Sequence, residues 1–154
     1  MKKLIFALYA TVLSGLFSCA QTSSEKIGTN ENGVFKITSS LEKIKTDWSA
    51  LLKKQKIETT LVSFDILSGS DSQVTNETYY YLLAKNKDNS IKVVTLLALK
   101  EGSFYLPDVQ GKATETVICS GCSYGCNPLN VGKRWICTPD CGPVCTKTVT
   151  ATTQ

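Results

Sequence analysis

The chain has no histidine among its 154 residues. That absence removes the commonest general base, the commonest metal ligand and the group that activates serine or cysteine in ordinary hydrolase sites. Arginine is nearly absent as well: Arg134 stands alone against sixteen lysines. Arginine is the usual bidentate ligand for phosphates and base edges, so its scarcity argues against nucleic acid as a partner. Lys2 and Lys3 supply two of the formal +4 charges and leave +2 for the rest, too little for a nucleic-acid footprint. "LLKKQK" is the densest basic stretch, and it reads as the exposed face and end of a helix. No GxxxxGK[ST] loop, GxGxxG turn or HExxH helix occurs, so the motifs that cradle phosphates, dinucleotides or catalytic zinc are missing. Nothing here requires a cofactor, and the expectation is a non-enzymatic protein.

What is present begins with "MKKLIFALYATVLSGLFSCAQ". Two lysines, an uncharged apolar run from Leu4 to Phe17 and a small-residue end follow the order of a secretory signal peptide. The run is too short for a bilayer, which needs about 20 apolar residues. Within it "LFSC", Leu16 to Cys19, resembles the lipobox of bacterial lipoproteins through Leu16, Ser18 and Cys19. Phe17 departs from the small residue usual there. The resemblance implies that Cys19 carries a lipid as the first mature residue and that a membrane is a partner through it. The competing reading is cleavage after Ala20, with Ser18 and Ala20 as the small pair, giving a soluble periplasmic or secreted chain. Lysine-rich, arginine-poor usage together with "LFSC" resembles small exported lipoproteins of the Bacteroidota with a cysteine-rich C-terminal module.

The mature chain reads as one modest domain and an appendage. Residues 1–18 are the signal peptide and 19–35 a polar tether, with Gly28 and two asparagines in "AQTSSEKIGTNEN". Residues 36–118 form an α+β domain. "KITSSLEKIKTDWSALLKKQ" carries an apolar stripe of Leu41, Ile44, Trp48, Leu51 and Leu52, with Ser39 and Glu42 as a capping box. Trp48 sits in mid-stripe, as a core anchor does. Next, "KIETTLVSFDIL" places Val62, Phe64 and Ile66 on one strand face. "TYYYLLA", the continuous apolar "IKVVTLLALK", "SFYLP" and "ATETVIC" follow as further strands, separated by Asn-, Asp- and Gly-rich turns. One N-terminal helix packed on a four- to five-stranded antiparallel sheet is the expected architecture. Its element order resembles the cystatin-like arrangement over residues 36 to 118. The Gln-x-Val-x-Gly loop of protease-inhibiting cystatins is missing, so the resemblance carries no inhibitory activity. Tyr79 and Tyr81 alternate to one face and offer a binding surface for a protein or glycan, though cross-strand packing explains them as well. Asp65, inside an apolar strand, has no second acid at useful spacing.

Residues 119–146 are a cysteine-rich module, and 147–154 a disordered Thr-rich tail. The spacing is C-x2-C-x3-C-x10-C-x3-C-x3-C, from Cys119, Cys122 and Cys126 to Cys137, Cys141 and Cys145. A zinc or copper site can be drawn on Cys119, Cys122, Cys137 and Cys141, but it leaves Cys126 and Cys145 over. "CSGC" has the spacing of thiol oxidoreductases, without the helix N-terminus that lowers a thiol pKa. Disulfides account for all six: setting Cys19 aside leaves an even number in an exported chain. Gly121, Gly125, Pro128, Gly132, Pro139, Gly142 and Pro143 break regular structure across the module, whose apolar content is too small for a core of its own. The expected bridges run between the two cysteine trios. The expected protein is an exported, lipid-anchored binding or structural component of the bacterial envelope, with metal binding or thiol redox chemistry as the alternative.

Overall fold

The computed structural model describes residues 24–71, 73, 77–107, 114–123, 125–139 and 145–152. Among these, the chain forms ten strands and one helix, in the order β1(Lys26–Glu31), β2(Val34–Ile37), α1(Glu42–Lys54), β3(Leu61–Asp71), β4(Glu77–Asn86), β5(Lys92–Lys100), β6(Ser103–Tyr105), β7(Thr114–Ser120), β8(Cys126–Val131), β9(Arg134–Pro139) and β10(Thr146–Thr152). The fold is mostly β, and the expected helix on a four- to five-stranded sheet is overturned. Eight strands form one antiparallel sheet, and β8 and β9 form a separate hairpin.

β5 is the branch point. β4 and β7 flank it over Lys92–Thr95, and β6 folds back on Ala98–Lys100. β6 passes the sheet on to β1, and β1 to β2. β2 then lies against β3, which pairs β4, so the strands nearly close into a barrel. The closure depends on residues 26–37, which the polar composition of the segment disguised as a tether. They are a hairpin turned by Asn32 and Gly33, with φ of 55° and 86°. An Asn-Gly pair between strands is a strong short-range hairpin signal, and "TNENGVFKI" contains it. Residues 19–23 lie outside the described residues, as does the apolar leader.

The interior is filled by α1 and the inward faces of the strands. Ile44, Trp48 and Leu52 of the helix join Ile27, Ile66, Leu82, Ala84, Val93, Phe104 and Ile118 in one buried cluster. Trp48 stacks on Phe64 at 5.9 Å between ring centroids, the core role its mid-stripe position indicates. The capping box does not form. The helix begins at Glu42 without a side-chain cap bond, and Ser39 Oγ instead donates to the Ile27 carbonyl, fastening the helix approach to β1. The expected inward face of β3 is also shifted at its start. An irregularity between Leu61 and Ser63 turns Leu61 inward and leaves Val62 61 % exposed, while Phe64 and Ile66 keep their places.

β10 replaces the expected disordered tail. Thr146 through Thr152 pair with β7 in unbroken register, and Thr150 Oγ1 donates to the Thr116 carbonyl at 3.1 Å. Alternating threonines suit a strand of which one face is solvated. Residues 153 and 154 lie outside the described residues.

The barrel seam packs closely at Gly28. A Cβ there would collide with the Lys36 carbonyl oxygen and lie 2.6 Å from Ile66 Cδ1. Gly28→Ala therefore lowers unfolding free energy by about 1–3 kcal/mol, the usual cost of overpacking, measured by urea denaturation; an unchanged midpoint contradicts the seam.

Candidate binding hollow beneath the disulfide-bridged hairpin

The outer face of β4, β5 and β7 carries a second core. Leu83, Val94 and Val117 are buried there together with Cys119, Cys122, Cys126 and Trp135. Burial on both faces is why "IKVVTLLALK" reads as a continuous apolar run instead of an alternating one. The cover is the β8–β9 hairpin. Its two-residue turn is Gly132-Lys133, with φ of 57° and 62°, the conformation that matches strand twist. Trp135 and Asn130 are cross-strand neighbours and both are buried, while the next pair, Leu129 and Ile136, is exposed. The hairpin therefore presents one face to the sheet and the other to solvent.

Three kinds of contact hold it. First are bridges: Cys119 bonds Cys137, tying the end of β7 to β9, and Cys126 bonds Cys145, tying the start of β8 to the residue before β10. Their Cα–Cα distances are 5.6 and 5.9 Å, within the ordinary disulfide range. Both join the first cysteine trio to the second. Cys122 is also disulfide-bonded, and Cys141 lies outside the described residues. Second are aromatic edges. Trp135 meets Tyr79 at 6.0 Å and Tyr81 at 5.5 Å, both near perpendicular, a favoured geometry for ring pairs. Third is a buried carboxylate. Asp71, at the end of β3, accepts hydrogen bonds from the backbone N–H groups of Gly132 at 2.7 Å and Lys133 at 3.4 Å. The turn thus closes on a charge that is only 4 % exposed and is stabilised by N–H donors.

These contacts revise the sequence expectations. With Cys119 and Cys137 bonded to each other, the drawn set Cys119, Cys122, Cys137 and Cys141 offers no four thiolates to a zinc or copper ion. Among the described residues no three His, Cys, Asp or Glu side chains gather as metal ligands. "CSGC" is no dithiol couple either, since Cys119 pairs eighteen residues away. Tyr79 and Tyr81 do project to one face, but that face lies under the hairpin. Tyr81 is half-buried, and burial, followed by the neighbouring Tyr79 phenol, holds its hydroxyl above the ordinary tyrosine range. Asp65 sits beside Lys85, with 3.6 Å between carboxylate and ammonium, at a half-buried position.

Tyr79 of the tyrosine pair reaches an opening. Its ring crosses Gly69 on the adjacent strand, where a side chain would collide with it. Its hydroxyl accepts the Asn130 N–H at 3.2 Å. Beside it lies a hollow of about 240 Å³ lined by Asp71, Glu77, Tyr79, Leu96, Asn130 and Lys133. Asn130 is buried, and its Nδ2 has no hydrogen-bond partner among the described residues. Sequence reasoning identified Tyr79 but not Asp71, Glu77, Asn130 or Lys133. They are scattered over three strands and a turn, and only the docking of the hairpin brings them together.

No family model, curated protein or solved structure matches this chain.

Two outcomes follow from the hairpin anchors. Replacing Cys126 and Cys145 together by serine opens a loop of sequence separation 19 and costs about 3 kcal/mol in the chain-entropy model; equal urea midpoints for the variant and the oxidised parent contradict this. For Tyr81 the phenol is raised from 10.0 in the folded state. Its contribution to stability is intact below about pH 10 and is lost as pH rises toward the higher folded value. Near-ultraviolet absorbance titration of Tyr81→Phe lacks one tyrosine that titrates above the ordinary range in the parent; superposable curves contradict the assignment.

Proposed function

We propose that this chain is a non-enzymatic binding or structural protein of the bacterial envelope, exported and anchored through a lipid on Cys19. One observation carries the export half of this reading. Two disulfides fasten the hairpin to the sheet, and disulfides form and persist in oxidising, extracytoplasmic compartments. Among the described residues no helix is long and apolar enough to cross a membrane, so membrane attachment in this reading falls to the leader region. There the basic start, apolar run and "LFSC" support lipidation at Cys19. The binding half is supported by the covered second core, which ends in a hollow with polar groups on its wall. A rigid, cross-linked frame around a small concavity is an arrangement suited to holding a ligand without transforming it.

The test is fractionation of the chain expressed with its own leader in a Gram-negative host. The wild type partitions into the detergent phase of a Triton X-114 separation, and intact mass shows a diacylglyceryl or triacyl addition on Cys19. Cys19→Ala partitions into the aqueous phase or retains its leader. A wild-type protein in the aqueous phase, with Gln21 as its first residue, would falsify the lipid anchor and leave a soluble exported protein.

A further inference from the structure

Three ionisable side chains line the hollow at the hairpin turn: the buried Asp71 carboxylate accepts the Gly132 and Lys133 N–H groups, and Glu77 and Lys133 add an exposed pair of opposite charge. Glu77 enters from the first position of β4 and Lys133 from the β8–β9 turn. The ion pairs among the described residues are Lys36–Glu31, Lys43–Asp47, Lys45–Glu42 and Lys85–Asp65, so neither Glu77 nor Lys133 is neutralised by a protein neighbour there. Asn130, 4 % exposed and with an unpartnered Nδ2, lines the same hollow. A buried amide without an acceptor costs roughly 1–3 kcal/mol, and such a group in a native protein calls for a partner, whether an ordered water, an ion or a ligand group. The Tyr79 hydroxyl accepts from the Asn130 backbone and keeps its own proton to donate. Leu96 and the Tyr79 ring supply an apolar wall.

We propose that this hollow binds a small zwitterion, an α-amino acid with an apolar side chain. Its ammonium group faces the Glu77 carboxylate, its carboxylate faces the Lys133 ammonium, and its side chain lies against Leu96 and the Tyr79 ring. The Asn130 amide and Tyr79 hydroxyl complete the polar contacts. A neutral sugar would leave both charges without a counterpart, and a simple anion or cation would leave one. The volume of about 240 Å³ corresponds to roughly eight waters at ~30 Å³ each, which suits a single residue better than a long peptide. The inference rests on reading the chain as a binding protein and names the ligand class of that site.

The experiment uses the oxidised protein purified from the envelope, isotopically labelled, with free L-leucine as the probe. Leucine gives saturable shifts in the amide signals of Asn130, Gly132 and Lys133. N-acetyl-leucine and leucinamide, each lacking one charge, bind at least about tenfold more weakly. Glu77→Gln and Lys133→Gln, both exposed positions, each weaken leucine at least about tenfold at unchanged thermal midpoint. No saturable shift with millimolar leucine overturns the proposal. So do equal affinities for leucine, leucinamide and N-acetyl-leucine, or saturable shifts with glucose alone. Detergent-phase partitioning of the same preparation separates the two ideas: a lipidated protein that ignores leucine sinks the ligand class and leaves the envelope reading standing.

Discussion

Trp135 is buried with its edge against Tyr79 and Tyr81 and its strand bonded to β7 through Cys137 and Cys119. The second half of the chain depends on this contact. Without it Leu83, Val94 and Val117 on the outer face of the sheet would meet water, and the hairpin would have nothing to pack on. The hairpin has one buried face and six residues per strand, and an isolated two-stranded hairpin is marginal in water. The sheet lends it a core, and the disulfides limit how far it can depart. The Asp71 carboxylate then sets the turn at one end while the bridges hold the other. The hollow lies at the Asp71 end, beside the hairpin turn.

This arrangement changes the meaning of the cysteine cluster. Cys119, Cys126, Cys137 and Cys145 do not staple a free-standing knot. The described bridges clamp a cover to a sheet that has two buried faces, one filled by the helix and the other by the hairpin. An oxidising compartment is therefore part of the fold's specification as well as a clue to where the protein resides.

Much of this was legible in the residues, and the gaps have physical causes. The helix stripe, the strands from Leu61 to Ser120 and the turn at Glu101-Gly102 follow from periodicity and turn chemistry. Residues 26–37 were obscured because a short edge hairpin is as polar as a tether; only Asn32-Gly33 marked it. The threonine strand β10 was hidden for a similar reason, since its partner β7 is some thirty residues away and local composition reports no long-range pairing. The continuous apolar run of β5 did hold the key to the second core. Its demand for two buried faces required a second layer, and the cysteine-rich segment was the part of the chain left to supply it. Of the hollow, Tyr79 alone could be picked out, because Asp71, Glu77 and Lys133 look like ordinary surface charges until the turn of one hairpin meets the end of another strand.

The central claim is that the bridged hairpin is a separately removable cover on an independently cored barrel. Amide hydrogen exchange of the oxidised chain against the chain reduced and alkylated under native conditions tests it most directly. Reduction is expected to remove protection from β8 and β9, while Leu52 in the helix, Ile27 in β1 and Ile118 in β7 remain protected. Unchanged protection of Trp135 after reduction, or simultaneous loss at Leu52 and Ile27, would contradict it.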